Sequence, residues 1–508
     1  MASAEGPEHN SRQFNVDHMV KHLRTKYVGR KVVYKPSTGS TMDDARDEAL
    51  KGCPEGLAVI ADHQTKGRGQ GGHTWSSEDT ANLYVTFVFQ KPEKFQNRVG
   101  IQDVEFAGSC AVLQAVHDVG VSTAKLKWKN DVWCSGHKLA GALVETTSLP
   151  QDDEHHHNNV IFLLGIGVNV NSDVRRNPSL RKLATSVRTE LGGCIVYREE
   201  LLANICNYLE TCMHMDRTDL LKEMNSHQLF QPGSAVKVLD FVDYRELYTG
   251  VLTEVRHDWT CVIKDDQGKN HEVGDGVSLR PYPNHFVYVL SEMVECGGDS
   301  NLLYDTVLSL LDTTVYTVKL VNMTDLDKGD WACNCDLLVV GDHVTTANET
   351  SKQMIRRYVQ EGGNLLAIGS GCILVSQSLK SLSGMKCETL VAVVKGMLQV
   401  IFKDKSAKDC SFFNPQSEGA YQITDTSGSM TVLARTKSEE VIAGCCGVGE
   451  GLVTMVGFNI ERTYAEASNL QCLSEKDAKT LSNTVYQRDS FLIDILKTLL
   501  QSKSNNDR

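Results

Sequence analysis

The chain has 508 residues, 41% of them hydrophobic, which is enough for two to four domains with sizeable cores. Its net charge of −12 at pH 7 argues against a protein that coats nucleic acid, although a small basic site within an acidic body is allowed. The 16 cysteines are scattered instead of forming a disulfide pattern, and the sequence shows no signal peptide and no membrane-spanning run. We therefore expect a protein of the reducing cytoplasm, with a mitochondrial pool left open, that has no membrane or nucleic-acid partner.

Helix and strand patterns are mixed over the first 230 residues. Residues 1–11 read as a polar tail, and residues 12–230 are expected to form one α+β domain. Its main predicted elements, in chain order, are a strand at 56–64, a strand at 81–89, an amphipathic helix at 103–119, a strand buried on both faces at 160–170 and a helix at 198–214.

The pattern changes twice after that domain. Short strands separated by turn signals predict a small all-β module over residues 231–281, and "PYPNH" (281–285) reads as a linker. Residues 285–508 then begin a β-α-β alternation, which predicts a separate and mostly parallel α/β domain. The alternating segments are 286–292, 301–312, 336–343, 351–363 and 364–371.

A glycine-rich loop, "TKGRGQGGHTW" (65–75), has the G-x-G-x-x-G spacing of a dinucleotide-binding turn. A strand precedes it, but a β-branched and aromatic run follows where that fold needs a helix, and no G-K-[ST] closes the loop. Lys66 and Arg68 stand among the glycines, which a plain surface turn does not explain. Backbone N–H groups and a guanidinium together indicate an anion-binding loop.

Two further stretches carry polar residues in a strand-and-turn setting. "KLKWKNDVWCSGHKLAGALVE" (125–145) contains two lysines, an asparagine and an aspartate of interest, which are Lys127, Lys138, Asn130 and Asp131. "GIGVNVN" (165–171) places Asn169 at the end of the buried strand. The three histidines in "DDEHHHNN" (152–159) chelate poorly as a set, since consecutive residues alternate faces, and we interpret them as a solvated loop.

Several motifs in these regions agree with one family. "STMDDA", "DHQTKGRGQGGHTW", "ANLYVTFVF", "KWKNDVW…HKLAGALVE", "GIGVNVN" and "GDGVSLRP" stand in the order and spacing found in biotin protein ligases (holocarboxylase synthetases). The resemblance covers residues 12–282. It implies a catalytic domain of the class II aminoacyl-tRNA synthetase-like fold, followed by a small all-β barrel.

The resemblance implies a two-step reaction. The carboxylate of biotin attacks the α-phosphate of ATP, with Mg²⁺ neutralising the polyphosphate, to give biotinyl-AMP and pyrophosphate. A specific lysine on a biotin carrier domain then attacks the mixed anhydride. The acceptors implied are the carrier domains of biotin-dependent carboxylases, of the acetyl-CoA, pyruvate and propionyl-CoA types.

The resemblance also implies roles for individual residues of this chain. Positions expected to bind biotin are Ser40, Thr41, Gln64, Arg68, Gly69, Gln70 and Lys138. Positions expected to bind ATP are Gly67, Gly69, Trp75, Lys127, Asn130 and Asn169. Lys138, Arg68 and Asp131 are the expected catalytic residues, and Asp131 is interpreted either as a base for the incoming lysine or as a Mg²⁺ ligand. Gln70 departs from the family, which commonly has a second arginine there.

The last domain resembles the class I glutamine amidotransferase-like domain attached to some eukaryotic biotin ligases, although the usual domain order is the reverse. An active enzyme of that kind needs a cysteine at a strand-to-helix elbow and a histidine base. Here the elbow position is Gly369 and the histidine position is Asn459, while Glu461 is retained. Cys372 comes three residues too late, so we expect a non-catalytic regulatory or docking domain.

Two alternatives stay open at this stage. A lipoate–protein ligase shares the fold, although "KWKND" favours biotin. A biotin- or adenylate-binding regulator without ligase output is the other, and the intact Lys138 and Arg68 argue against it. The ligase motifs start too early for a preceding helix-turn-helix, so we do not expect repression of a biotin operator.

Overall fold

The computed structural model divides into two compact units, Met1–Tyr282 and Pro283–Arg508. It describes residues 13–77, 80–90, 100–148, 160–174, 180, 183–274, 276–282, 285–291, 302–328, 331–332, 335–341, 344, 347–380, 383, 385–389, 396–402, 410–414, 420–436, 439–458 and 485–504. Among them, no helix is both long and apolar enough to cross a membrane.

A seven-stranded mixed sheet forms the centre of the first unit. Its strands are β1 (Val32–Thr38), β2 (Leu57–Gln64), β3 (Leu83–Phe89), β4 (Lys125–Lys127), β5 (Asp131–Cys134), β6 (His137–Ser148) and β7 (Val160–Val168). The spatial order is β1-β2-β3-β7-β6-β5-β4. Only the β1–β2 pair is parallel. The predicted strands at 56–64, 81–89 and 160–170 are confirmed as β2, β3 and β7.

Six helices of the described residues pack around this sheet. They are α1 (Val16–His22), α2 (Thr41–Leu50), α3 (Ile101–Asp118), α4 (Val187–Glu190), α5 (Arg198–His214) and α6 (Arg217–Ser226). The predicted helix at 198–214 is confirmed with its bounds. The helix predicted at 103–119 is α3, but its amphipathic character was wrong. Nearly all of α3 from Asp103 to Val116 is buried, because it packs between the sheet and α5.

The all-β module is a five-stranded antiparallel sheet. Its strands are β8 (Ala235–Asp240), β9 (Glu246–Val255), β10 (Cys261–Asp265), β11 (Asn270–Val273) and β12 (Val277–Pro281). The order is β11-β10-β9-β8-β12. Closure of this sheet into a barrel stays a prediction.

Buried tryptophans hold the all-β module against the domain of the seven-stranded sheet. The Trp259 indole N–H donates to Asp103 Oδ1 at 3.0 Å, and Trp128 Nε1 donates to the Trp259 carbonyl at 3.0 Å. Asp103 also accepts from Arg217 Nε at 2.8 Å, and the Trp259 ring packs on Phe106 with centroids 4.1 Å apart. A buried carboxylate with several donors keeps the docking geometry fixed.

The second unit has a nine-stranded sheet in the order β14-β13-β15-β16-β23-β22-β21-β18-β19 and a separate β17–β20 pair. The strands are β13 (His285–Leu290), β14 (Tyr316–Val321), β15 (Leu337–Val340), β16 (Asn364–Ile368), β17 (Met385–Thr389), β18 (Gly396–Phe402), β19 (Cys410–Asn414), β20 (Tyr421–Asp425), β21 (Thr431–Thr436), β22 (Val441–Val448) and β23 (Gly451–Val456). Its helices are α7 (Leu302–Leu310), α8 (Met323–Lys328), α9 (Glu349–Gln360), α10 (Gly371–Ser378) and α11 (Val485–Ser504).

The five strands from β14 to β23 pair in parallel. Three of them, β13, β15 and β16, are strands that the β-α-β pattern predicted. The pairs from β23 to β19 are antiparallel. The expectation of a mostly parallel sheet was therefore right for one half and wrong for the other. The antiparallel strands are formed by residues beyond 371, where the segments that predicted the alternation end.

Candidate functional site

The glycine loop leaves β2 and folds back on itself beside β6. Gly69 N–H donates to the His73 carbonyl at 2.6 Å, and Trp75 N–H donates to the Gly67 carbonyl at 3.0 Å. Residues 65–74, with Leu143 and Glu145, line a cavity of about 570 Å³. Gly67, Arg68, Gly69 and Gln70 all lie in this lining. A single 3₁₀ turn, Gln70–Gly72, stands where a dinucleotide-binding turn would open an α-helix.

Two of the glycines are required by close approach. A Cβ on Gly67 would lie 2.5 Å from the Trp75 carbonyl oxygen. Gly71 has a φ of +63°, and its Cβ would lie 2.4 Å from the ring of Phe241 in the all-β module. His73 adds a contact of 3.2 Å from Nε2 to the Phe241 carbonyl. The all-β module therefore packs directly on the glycine loop.

A hydroxyl and amide network connects the start of α2 with the sheet. The Gln64 carboxamide oxygen accepts from Thr41 N–H at 2.9 Å and from Thr41 Oγ1 at 3.1 Å, while its Nε2 donates to Ser77 Oγ at 3.1 Å. The Thr86 hydroxyl donates to Thr41 Oγ1 at 2.9 Å. Ser40 is buried and caps α2 by accepting from Met42 N–H at 3.3 Å. The structure thus brings Thr41 and Gln64 together, with Ser40 next to them.

The guanidinium of Arg68 is held by two carboxylates. It donates to Glu145 Oε1 from Nε at 3.0 Å and lies 2.9 Å from Asp43 Oδ1. Arg46 binds the same pair, at 2.5 Å from Glu145. The hydrogen bond from Arg68 keeps the pKa of Asp43 below its usual value. An anionic ligand at this loop would exchange for carboxylates that already orient Arg68.

Two lysines of the second motif meet at Asp131. Lys138 Nζ lies 2.6 Å from Asp131 Oδ1, and Lys127 Nζ lies 4.0 Å from Oδ2. Burial alone would raise the pKa of Asp131, but Lys138 and Lys127 outweigh it and lower that pKa. Lys127 is 4% exposed, and burial, helped by Arg280, lowers its pKa to about 7. Lys127 is therefore not a solvated strand lysine.

Arg280 of the all-β module is a site residue that the sequence reasoning missed. Its guanidinium lies 4.9 Å from the Trp133 ring centroid, and Lys127 Nζ lies 5.3 Å from the same ring. Burial lowers the pKa of Arg280, and its NH1 atom is buried without a hydrogen-bond partner in the described part of the chain. A signal was present in the sequence, because "GDGVSLRP" contains one cation in a strand whose other residues are uncharged.

Trp75 lies flat against β7. A Cβ on Gly167 would be 2.5 Å from the indole ring, so only glycine leaves room there. Lys138 Nζ lies 5.2 Å from the Trp75 ring centroid. The indole Nε1 is buried and donates to no described residue. Trp75 thus joins the lysine cluster, with its ring packed on the sheet.

Asn130 and Asn169 use their side chains differently from what we expected. The Asn130 amide donates to the Ala142 carbonyl, and the Asn169 amide donates to the Thr185 carbonyl at 3.0 Å. Both amide nitrogens are therefore committed to backbone groups. Their roles toward ATP stay predictions, and the structure supports a positioning role for both.

The surroundings of Asp131 do not fit a magnesium ligand. Its two carboxylate oxygens face amino groups at 2.6 Å and 4.0 Å, and Arg280 adds a third nearby positive charge. A divalent cation at this carboxylate would have to displace Lys138 and approach two further cations.

A strand-to-helix turn in the second unit contains the predicted elbow position. Gly369 follows β16 and has a φ of +56°, and Ser370 separates it from α10. Cys372 is fully buried, and its Sγ lies 3.5 Å from the carbonyls of Ala367 and Val456. Asn459 and Glu461 lie outside the described residues. The described part therefore places Cys372 in the core instead of at the elbow.

The sequence model described as the biotin/lipoate A/B protein ligase family matches residues 34–166. The bifunctional ligase/repressor BirA of Bacillus subtilis is 29% identical over 171 residues, which are 34% of this chain and 50% of that protein. The human biotin–protein ligase is 30% identical over 34% of this chain and 23% of its own length. The biotin–[acetyl-CoA-carboxylase] ligase of Mycobacterium tuberculosis is 31% identical over 30% of this chain and 55% of its own length.

Among solved structures, the biotin protein ligase of Aquifex aeolicus in complex with biotin and ATP is 25% identical, with a TM-score of 0.41. That alignment covers 49% of this chain and 99% of the other. The chain spans about half or less of the curated relatives named above. The chain thus contains, over residues 34–166, a domain similar to the biotin/lipoate A/B protein ligase family.

Proposed function

We propose that the first unit is an ATP-dependent biotin–protein ligase, which modifies one lysine on the carrier domains of biotin-dependent carboxylases. The observation that carries the proposal is the cluster of Lys127, Lys138 and Arg280 around Asp131. Positive charge is concentrated there in a largely buried site, where it stabilises developing negative charge most strongly. The match of residues 34–166 to the ligase family supports the same function.

In the first step a carboxylate oxygen of biotin attacks the α-phosphorus of ATP, supplied as its magnesium complex. The bond from that phosphorus to the bridging oxygen breaks, and pyrophosphate leaves. Lys138 is suited to stabilise charge on the carboxylate and α-phosphate, since its amino group is partly exposed and held by Asp131 and the Trp75 ring. Arg68 and the amides of the glycine loop would hold the anionic carboxylate.

In the second step the amine of the carrier lysine attacks the acyl carbon of biotinyl-AMP. A carbon–nitrogen bond forms, AMP leaves, and the nitrogen loses a proton. The carboxylate of Asp131 is the candidate acceptor for that proton, while the Lys138 ammonium beside it only donates. No step depends on a magnesium ion bound at Asp131.

The proposal is tested by incubating the full chain with ATP, Mg²⁺ and an apo carrier domain. One sample receives biotin and another receives lipoate, and the mass of the carrier is then measured. We expect a biotin-sized mass increase on the carrier and no lipoyl adduct. A lipoyl adduct alone would make the protein a lipoate–protein ligase, the alternative within the matched family. Tight binding of biotinyl-AMP without any carrier adduct would indicate a regulator. Repeating the assay with carrier domains from acetyl-CoA, pyruvate and propionyl-CoA carboxylases compares how well each acceptor is modified.

The location of the protein stays a proposal. Twelve cysteines of the described residues are free thiols, and this supports a reducing compartment such as the cytoplasm.

We propose that the second unit is a non-catalytic domain of the amidotransferase-like type. Gly369 at the elbow and the burial of Cys372 support this. The full chain is expected to release no ammonia from glutamine, measured by a coupled glutamate dehydrogenase assay. Turnover that is lost in Cys372→Ala would show that this cysteine is the nucleophile after all.

Replacing Lys138 tests the first chemical step. Lys138→Ala should slow biotinyl-AMP formation by about 10²-fold or more, the usual scale for removing a preorganised charge donor in the transition state. The measurement is pyrophosphate release without a carrier. Lys125→Ala is the matched control, since Lys125 lies on β4 of the same motif but is exposed. Normal pyrophosphate release by Lys138→Ala would remove this residue from the mechanism.

The pKa of Lys127 predicts proton uptake when ATP binds. The free amine has a pKa of about 7, because burial lowers it, and a nearby polyphosphate will raise that pKa. At pH 8 the free amine is mostly neutral, so binding takes up nearly one proton, while at pH 6 it is already protonated and uptake is close to zero. Affinity should therefore fall as the pH rises above about 7.

Calorimetry of MgATP binding without biotin, in two buffers of different ionisation enthalpy, measures this uptake. Lys127→Met should abolish the difference between the buffers, and Lys125→Ala should keep it. Equal proton uptake by wild type and Lys127→Met would assign the proton to another group.

Gln70 is expected to affect how long biotinyl-AMP stays bound. Gln70 lines the cavity with a neutral amide where the family commonly has arginine. A charge-assisted hydrogen bond is stronger than a neutral one by about 1 kcal/mol, which is several-fold in a release rate. Gln70→Arg should therefore retain labelled biotinyl-AMP several-fold longer in rapid filtration, with adenylation little changed. Equal release rates would mean that position 70 does not control retention here.

A further inference from the structure

A second group of chemically active side chains lies outside the site described above. His18 and His22 are one helical turn apart on α1, so both imidazoles lie on one face, and Glu200 lies on α5, which packs against α1. One ligand atom from each residue lies within 4.8 Å of the other two. His18 Nε2 is 3.2 Å from Glu200 Oε1.

The hydrogen bonds of His22 leave one of its nitrogens available. His22 Nδ1 lies 2.9 Å from the His18 carbonyl oxygen, and a carbonyl only accepts, so Nδ1 carries the proton in this contact. The lone pair of neutral His22 is then on Nε2. A ring N–H bonded to a backbone carbonyl is the arrangement that orients metal-binding histidines.

Local contacts fix the short helix that carries the two histidines. The Asn15 side chain caps α1 by accepting from His18 N–H at 3.0 Å, and Asn15 N–H donates to Glu199 Oε1 at 2.9 Å. The His18 ring stacks on His22 and on Tyr197, at centroid distances of 4.9 Å and 5.5 Å. The start of α1 and the His18 ring are therefore positioned in part by Asn15 and Tyr197, which are not proposed metal ligands.

We propose that His18, His22 and Glu200 form a binding site for a divalent transition metal of the zinc class, which would connect α1 to α5. Two imidazole nitrogens and one carboxylate oxygen are typical zinc ligands, and water would be the fourth. Zinc bonds of about 2.0–2.1 Å place tetrahedral ligand atoms about 3.3 Å apart. The 3.2 Å separation of His18 Nε2 and Glu200 Oε1 is close to this value, and the His22 nitrogen, within 4.8 Å of both, would have to move closer when the metal binds.

The two imidazoles also make this site unsuitable for Mg²⁺. Mg²⁺ prefers oxygen ligands in octahedral geometry, and this cluster offers only one carboxylate. A metal bound here acts on folding instead of on catalysis, because the unfolded chain does not hold α1 and α5 together. At a free metal concentration 100 times the dissociation constant, the unfolding equilibrium constant falls about 100-fold.

The test uses the tag-free full chain after treatment with a chelator. Co²⁺ is added as a spectroscopic probe, and its visible absorption reports nitrogen-containing coordination of low symmetry. Thermal unfolding is then followed with and without Zn²⁺. We expect wild type to bind one more Co²⁺ than His18→Ala/His22→Ala and to gain thermal stability with Zn²⁺ that this variant lacks. The number of Co²⁺ ions at the site is the difference between the two proteins. Any Co²⁺ bound by the histidines at 155–157 is present in both and does not affect this difference.

Two controls keep the proposal falsifiable. His257→Ala removes an exposed histidine of the all-β module and should leave the count and the Zn²⁺ effect unchanged. Glu200→Gln keeps the shape of the side chain and should weaken Co²⁺ binding about tenfold or more, since even outer partners of metal ligands matter by 10–100-fold. The proposal is overturned if Glu200→Gln binds Co²⁺ as wild type does, or if His18→Ala/His22→Ala keeps the same count and the same Zn²⁺ stabilisation.

Discussion

Three cationic groups share one carboxylate, and the candidate site depends on that arrangement. Lys138 forms a direct ion pair with Asp131, while Lys127 and Arg280 act on it from further away. Burial lowers the pKa of Lys127 most, and repulsion from Arg280 and Lys138 lowers it further. A polyanionic ligand would offset this repulsion, so the electrostatic arrangement of the free protein would become more favourable when phosphate is bound.

The same cluster makes the all-β module part of the site. Arg280 belongs to that module, and so does Phe241, which closes over Gly71. Both positions follow from the docking of Trp259 against Asp103 and Phe106. Removing one partner of such a buried contact leaves an unpaired polar group, which costs about 1–3 kcal/mol or more. Stability of the module interface and preorganisation of the anion site are therefore linked.

Prediction from sequence succeeded where a single pattern determines the structure. The boundaries of α5 and the strand β2 follow from continuous periodic runs, and the glycine loop was recognised by the absence of a helix after it. The burial of α3 on nearly all faces was missed because α5 comes from residues almost a hundred positions later. The antiparallel half of the second sheet was missed for a related reason, since pairing partners there are not signalled by local composition.

The site itself was only partly predictable. Lys138, Lys127 and Asp131 belong to one three-stranded meander, β4 to β6, so their meeting is a local consequence of strand register. Arg280 reaches them from about 140 residues away, and only the docked module brings it there. The hydrogen-bond partners of Asn130 and Asn169 were not predictable, because a polar residue in a motif does not reveal which partner its amide will choose. Burying a backbone carbonyl without a hydrogen-bond partner costs free energy, and here the side-chain amides of Asn130 and Asn169 both donate to such carbonyls.

Arg68 forms a second group of paired charges in the site. In the free protein Glu145 and Asp43 neutralise it, and Arg46 shares the same two carboxylates. A ligand carboxylate must therefore compete with an ion-pair network that has already formed. The Arg68 side chain in this network is only about a third exposed. Such a network gives little net affinity, since exchange replaces one carboxylate with another, but it discriminates by geometry. Under the proposed function the glycine loop would select an anion by shape, while the cluster around Asp131 would supply positive charge that has no complete counter-charge of its own.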